Sequence, residues 1–137
     1  MVRMQKTMKW LFIDTAKAGE YRVGFLTRGQ KRIVTGQGRS NKFLPALARV
    51  AKESEWAGVD GVCVVQGPGS FTAVRTGVLI ANILARFRHK PLIGVSTEDA
   101  RDLDSLVERI GHGLFPLSGY VTPVYDAEPN IILLKKP

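Results

Sequence analysis

The feature that most constrains the fold is a strand–turn–helix–strand pattern in the middle of the chain. Residues 59–65 (VDGVCVV) form an apolar, β-branched run that predicts a central strand covered on both faces. A glycine-rich turn over 66–70 (QGPGS) follows, and then come a helix predicted over 71–88 and a buried strand predicted over 91–95. Two strands joined by one long helix form a right-handed parallel crossover, so the pattern predicts an α/β sheet.

The segments before this unit predict an antiparallel meander followed by a helix. Three short apolar or alternating runs are predicted as strands, at 9–14, 20–27 and 31–35. Apolar residues at 3.6-residue spacing predict a helix over 41–54, with Ser40 at its N-cap. Because a meander precedes a parallel crossover, we expect a mixed sheet.

The segments after the unit predict one further helix and two short strands. Ser96 begins this helix, whose first turn is rich in capping and acidic residues and which fades near Gly111. The strands are predicted at 120–125 and 130–134. The chain is therefore predicted as an α/β fold, a mixed sheet with an antiparallel meander, βαβ crossovers and helices on both faces. This is the architecture of the first subdomain of an actin/Hsp70-like (ASKHA) protein, or of a similar layered fold.

Length and composition predict one cytoplasmic domain. The chain has 137 residues, of which 45% are hydrophobic and 23% charged, a balance typical of a single globular domain. We expect a short leader at 1–8 and one domain over 9–137. The only cysteine, Cys63, cannot form an internal disulfide, which fits a reducing compartment. The apolar run 10–13 is too short for a signal sequence or a membrane span, so no membrane association is expected.

Positive charge is concentrated in the first half of the chain. The formal net charge is +8, and residues 1–50 carry eleven basic and two acidic side chains. Such an imbalance favours a polyanionic partner, with RNA as the obvious cytoplasmic candidate, although a basic surface can also serve solubility alone.

The glycine-rich turn is a candidate anion or nucleotide site. A strand ends there and a helix begins with free N–H groups and hydroxyls, which is a favourable place for a phosphate. The turn expected after the first strand lies where phosphate loops lie in kinase-like folds. An ordinary tight turn with a serine cap, and a turn-forming aspartate, remain the alternatives. The candidate residues are Asp14, Thr15, Gly67, Gly69, Ser70 and Thr72.

The helix predicted over 71–88 is apolar on almost every side, so it needs cover beyond one sheet face. A strip of small residues, Gly77, Ala81 and Ala85, predicts close approach of a second helix, for which 41–54 is the natural neighbour. Cover by that neighbour alone and a subunit interface are both open.

No catalytic or metal-binding set can be assembled from the sequence. The two histidines, His89 and His112, have no ligand partners at metal-binding spacing, and Cys63 lies in an apolar run typical of an inert core thiol. We therefore expect no metal, no cofactor and no catalytic residue. The alternative is a peptidase-like enzyme or nucleotide hydrolase using Asp14, Ser70 and Thr72, for which no general base near Ser70 is evident.

The run GPGSFTAVRTG at 67–77, followed by an apolar helix and PLIGVST at 91–97, resembles the TsaB (YeaZ) family, which serves the synthesis of threonylcarbamoyladenosine in tRNA. Supporting pieces are a first strand ending in IDTA at 13–16, the Ser40–Pro45 helix start and PVY at 123–125. Two residues depart from the family pattern: Ala73 replaces a glycine and Arg39 a histidine. From the resemblance we expect a shortened form, in which the family's second subdomain is largely missing.

The resemblance implies a non-catalytic scaffold that pairs with a TsaD-like catalytic subunit and is joined by a TsaE-like ATPase, with indirect or weak contact to tRNA. Pairing would use helices 41–54 and 71–88. The alternatives are a self-associating homodimer and the hydrolase described above. The candidate interface residues are Phe43, Leu44, Leu47, Phe71, Arg75, Val78 and Asn82.

Overall fold

The structure is a computed structural model that describes residues 8–125. Its five strands are β1 (Lys9–Asp14), β2 (Glu20–Thr27), β3 (Gln30–Gln37), β4 (Gly61–Gly67) and β5 (Leu92–Ser96). Its α-helices are α1 (Ser40–Val50), α2 (Phe71–Phe87) and α3 (Leu103–Gly111). Two short 3₁₀ helices cover Glu53–Gly58 and Asp99–Arg101.

The strands form one mixed sheet in the order β3-β2-β1-β4-β5. The pairs β1–β2 and β2–β3 are antiparallel, while β1–β4 and β4–β5 are parallel. The predicted meander and parallel crossover are therefore confirmed. The central strands β1 and β4 are covered on both faces, which is why their sequences are continuous apolar runs rather than alternating ones.

The helices pack on both faces of the sheet, as predicted. Adjacent residues of a strand point to opposite faces, and Tyr21 and Arg22 of β2 do so. Tyr21 packs edge-on against Phe43 of α1, with ring centroids 5.9 Å apart. Arg22 reaches the Ala100 carbonyl, just before α3, at 3.0 Å. Helix α2 lies on the same face as α1, where Thr15 donates to the Ala73 carbonyl at 2.6 Å.

The first predicted helix is shorter than expected. α1 ends at Val50 rather than at residue 54, because the chain turns into the 3₁₀ helix that buries Trp56. Ser40 is the first helical residue rather than the cap, and the N-cap position is taken by Arg39, which makes no side-chain capping bond. The strand predicted at 59–65 lies at Gly61–Gly67.

The helix predicted from Ser96 to Gly111 is broken in two. Ser96 Oγ accepts from Asp99 N at 2.9 Å, and Asp99 accepts from Ser96 N at 3.2 Å, so these capping residues close a short turn. Asp102 is extended and caps α3 by accepting from Ser105 N at 3.2 Å. One predicted helix therefore becomes a 3₁₀ turn and a new α-helix.

The predicted strand at 120–125 is wrong. Within 120–125 the structure shows a single isolated bridge, between Gly69 and Tyr125, and another isolated bridge just before it joins Leu92 to Ser118. The strand predicted at 130–134 lies outside the described residues, as does all but the last residue of the predicted leader at 1–8. Within the described residues, no helix is long and apolar enough to cross a membrane.

Candidate functional site

The glycine-rich turn between β4 and α2 is enclosed by three other segments of backbone. Ser70 N donates to the Ala16 carbonyl at 3.0 Å, and Thr97 N donates to the Gly67 carbonyl at 2.9 Å. On the remaining side, the Val124 amide donates to the carbonyl of Gln66 at 2.6 Å. Several polar groups of the turn are thus already bound within the chain.

Both glycines of this turn lie so close to backbone carbonyl oxygens of other segments that a side chain would not fit. Gly67 has a positive φ of 112°, and a Cβ there would overlap the Val124 carbonyl oxygen. A Cβ at Gly69 would overlap the Ala16 carbonyl oxygen. The geometry is that of a tightly packed βα turn, and anion binding at Gly67 and Gly69 stays a prediction.

The two residues predicted at the first turn are committed to structural bonds. Asp14 accepts from Arg22 Nη2 at 2.7 Å and Nε at 3.0 Å, and from Ala16 N at 3.0 Å. Thr15 is buried and gives its hydroxyl proton to the Ala73 carbonyl. Because Arg22 neutralises Asp14, this carboxylate ties β1 to β2 and, through Arg22, to the 3₁₀ helix before α3.

A cavity of about 350 Å³ brings together three of the six predicted residues, Thr15, Ser70 and Thr72. It lies between the β1–β2 loop and the N-terminal ends of α1 and α2, and Lys17 and Arg39 also line it. Helix N-termini and basic side chains both favour an anion. Asp14 and Gly69 instead line a separate depression beside Thr97, so the six residues do not form one site.

Three predicted interface residues are core residues. Phe43, Leu47 and Val78 are only 2%, 6% and 2% exposed, so the structure removes them from any partner surface. Phe43 fills the space between α1 and Tyr21, which fixes its side of the helix.

The other four predicted residues lie at the surface or near it. Leu44 and Phe71 are about half exposed, and Arg75 is exposed with its guanidinium over the Phe71 ring. Asn82 is half-buried and bonded to the backbone of Val121 in both directions, at 2.9 Å each way. Asn82 therefore uses its side chain to hold the segment after α3 against α2.

The small-residue strip faces the sheet. The prediction that it faces α1 is wrong. Gly77, Ala81 and Ala85 are all buried, and a Cβ at Gly77 would overlap the side chain of Thr15. Their small size lets α2 lie close on the sheet, where it contacts β4 and β1. The opposite side of α2 is therefore turned outward.

That outward side carries a row of large apolar residues that is absent from the predicted interface residues. Leu79, Ile83 and Phe87 are 60%, 56% and 72% exposed, and they lie four residues apart on one helix face. We call this row the α2 face. Leu114, Leu117, Tyr120 and Val124, on the segment after α3, are exposed as well. Periodicity could not identify the row, because α2 is apolar on nearly every side.

Burial and hydrogen bonding shift the pKa values of Cys63 and Asp99 in opposite directions. Burial raises the pKa of the Cys63 thiol far above its ordinary value, with smaller contributions from Asp99 and Asp14. Burial alone would also raise the pKa of Asp99, but hydrogen bonds from Arg109 and Ser96 outweigh it and lower that pKa. Among residues 8–125, no three His, Cys, Asp or Glu side chains lie close enough to hold a metal ion.

Comparison with known proteins identifies a family and related structures. The sequence profile of the family described as "TsaD: tRNA N6-adenosine threonylcarbamoyltransferase" matches residues 34–127, more than half of the chain. YeaZ from Pseudomonas aeruginosa is 25% identical, with a TM-score of 0.57 over 65% of this chain and 43% of that chain. No curated protein matches significantly.

A second structure is described as an uncharacterized protein with similarity to peptidase YeaZ from Pseudomonas aeruginosa. It is 24% identical, with a TM-score of 0.57 over 65% of this chain and 43% of that chain, and shows the shared fold. This chain thus spans less than half the length of these solved structures. Together with the mixed sheet, the matches confirm the predicted actin/Hsp70-like fold.

Proposed function

Because this chain belongs to the TsaD family, tRNA N6-adenosine threonylcarbamoyltransferase, we propose that it is a non-catalytic subunit of the machinery that forms threonylcarbamoyladenosine in tRNA. The predicted resemblance to the TsaB (YeaZ) family is confirmed by the match to YeaZ. In the proposal, the chain acts in the cytoplasm and pairs with a TsaD-like catalytic subunit, which a TsaE-like ATPase joins.

The α2 face is the observation that carries the pairing proposal. Exposed apolar side chains in a row on one helix are typical of a surface that a partner covers. Full burial of a Leu, Ile or Phe side chain stabilises by about 1.5–3 kcal/mol, so burying the remaining exposed area of this row contributes about 4 kcal/mol in all. A second helix laid along α2 would make these contacts.

The non-catalytic role is supported by how the polar candidates are used. Asp14 is neutralised by Arg22, and Thr15 is buried and bonded to the Ala73 carbonyl. Within the described residues, no hydrogen bond joins Ser70 Oγ to a histidine or a carboxylate that could act as a general base. The hydrolase alternative would need such a base.

The test is co-expression with the TsaD-like protein of the same genome, followed by size-exclusion chromatography and reconstituted threonylcarbamoyl transfer to tRNA. Leu79→Asp and Ile83→Asp place a charge in the α2 face and should abolish the complex and the activity that it supports. Val34→Asp is the matched control, since Val34 is 46% exposed but lies on β3, away from α2. This variant should pair normally.

Two results would contradict the proposal. Pairing that survives both α2 variants would move the interface elsewhere. Hydrolysis of ATP or peptides by the purified chain, lost in Ser70→Ala, would make the chain an enzyme. Sedimentation of the isolated chain distinguishes a homodimer, in which two chains pair through their α2 faces, from a monomer that pairs only with a different protein.

A further inference from the structure

Residues 21–52 contain eight basic side chains and no aspartate or glutamate. This segment builds most of β2, all of β3 and all of α1, so one corner of the fold is made without any acidic side chain of its own. The eight residues are Arg22, Arg28, Lys31, Arg32, Arg39, Lys42, Arg49 and Lys52.

Several of these side chains meet at a groove between the edge strand β3 and α1. The groove has a volume of about 480 Å³, and Arg32, Arg49 and Lys52 line it. Lys42 lies seven residues before Arg49, on the same side of α1. The eleven residues of α1 span about 16 Å, which spaces these cations along the helix. We call this surface the basic groove.

Most charges of the basic groove are not neutralised within the fold. Lys42, Arg49 and Lys52 are exposed and make no ion pair within residues 8–125. Among the described residues, the one acid lining the groove is Glu55. Its carboxylate is 2.6 Å from Lys9 Nζ and 3.5 Å from Arg32 Nη2; the hydrogen bond from Lys9, with smaller contributions from the charges of Arg32 and Lys52, lowers its pKa. The cations therefore leave a positive surface potential that attracts polyanions.

The exposed apolar residues are concentrated elsewhere. They lie mainly on α2 and on the segment after α3, while β3 and α1 contribute only Val34 and Leu44 among the described residues. A surface rich in exposed cations and poor in apolar side chains fits a phosphate backbone better than a folded protein partner.

We propose that the basic groove binds the phosphate backbone of RNA. This inference rests on the proposed function, which makes tRNA the substrate of the complex, and it gives this chain a direct contact with that substrate. The α2 face would then hold the catalytic subunit while the basic groove holds the RNA.

The test measures binding of a fluorescein-labelled, unmodified tRNA transcript to the purified full chain by anisotropy, over a range of salt concentrations. Each phosphate contact adds about 0.7–0.9 to the steepness with which the logarithm of the association constant falls against the logarithm of the salt concentration. One contact therefore raises the affinity at 0.1 M salt about five- to eightfold relative to 1 M salt. Lys42→Glu/Arg49→Glu should therefore lower affinity by about 30-fold or more and reduce the salt slope by about two. Arg101→Glu, exposed beside Glu98 on the other side of the sheet, is the control for nonspecific charge and should change affinity less than threefold.

Three outcomes would overturn the proposal: no binding by the wild-type chain, binding unchanged in the double variant, or equal loss in Arg101→Glu. Stronger competition by a polyglutamate peptide than by an unlabelled RNA hairpin would assign the groove to an acidic protein segment instead. Circular dichroism of the double variant checks folding. The pairing assay separates the two proposals, because Lys42→Glu/Arg49→Glu should still form the complex and Leu79→Asp should still bind the transcript.

Discussion

Asn82 is a residue whose loss should loosen the segment after α3 where it packs against α2. Its amide donates to the Val121 carbonyl at 2.9 Å and its oxygen accepts from Val121 N at 2.9 Å, as a neighbouring β-strand would. The third bond, to the Val78 carbonyl at 2.8 Å, stays within α2. The change to be made is Asn82→Ala.

The expected cost follows from these contacts. Each of the two bonds to Val121 contributes about 0.5–1.5 kcal/mol net. Val121 is half-buried, so water can reach its freed amide and carbonyl in part. The free energy of unfolding should therefore fall by about 1–3 kcal/mol. Thr76→Ala is the matched control, because among residues 8–125 the Thr76 hydroxyl bonds only to the Thr72 carbonyl within α2, and it should cost less than about 0.5 kcal/mol.

Urea unfolding and amide hydrogen exchange together measure this prediction. In Asn82→Ala, the amides of Ser118, Val121 and Val124 should lose protection, whereas those of Val62 and Val64 in β4 should exchange only at the rate set by the lowered global stability. The reasoning would be refuted by a cost equal to that of Thr76→Ala. Loss of protection spread evenly over the sheet would refute it as well.

Two further predictions concern Asp99 and Cys63. Because the folded state lowers the pKa of Asp99, its carboxylate stabilises the fold above its ordinary pKa of 3.8, and this contribution is lost as the pH falls through the lower folded value. Asp99→Asn should therefore lose less stability than wild type between about pH 6 and pH 3 in urea titrations, and an equal loss would contradict the assignment. Cys63 is fully buried and its pKa is raised, so Ellman's reagent should react only as fast as the chain unfolds; rapid labelling without denaturant would place the thiol at the surface.

The sheet was predictable because burial on both faces of a strand gives it a continuous apolar sequence. Residues 61–65 are covered on both faces, so they are apolar without alternation, and the chain on either side of α2 could be read as a parallel crossover. The helix at 96–111 was not predictable in the same way. Ser96 and Asp99 carry the signature of a helix start, but they close a 3₁₀ turn, and Asp102 begins the true helix. Capping residues show that a turn of helix begins, not how far it continues.

The candidate site was harder to predict because α2 is apolar all round. Val78 and Leu79 are neighbours of similar hydrophobicity, yet one is 2% and the other 60% exposed. The strip that points to the sheet is marked by small size rather than hydrophobicity, since Gly77 must clear Thr15. Size alone does not show whether the close neighbour is a helix or a sheet, so the sequence predicts α1 as that neighbour while the structure places the sheet there.

The segment after α3 packs beside α2 and leaves the α2 face exposed within residues 8–125. The fold makes room for this segment at positions where side chains are absent: a Cβ at Gly94 would come within 2.8 Å of Val121, and one at Gly67 would overlap Val124. Asn82 fixes the same segment by paired hydrogen bonds. The segment is thus held beside α2, yet Leu79 and Ile83 remain more than half exposed within residues 8–125. This close packing beside one flank of α2, next to a row that stays exposed within residues 8–125, supports the proposal that a partner covers the α2 face.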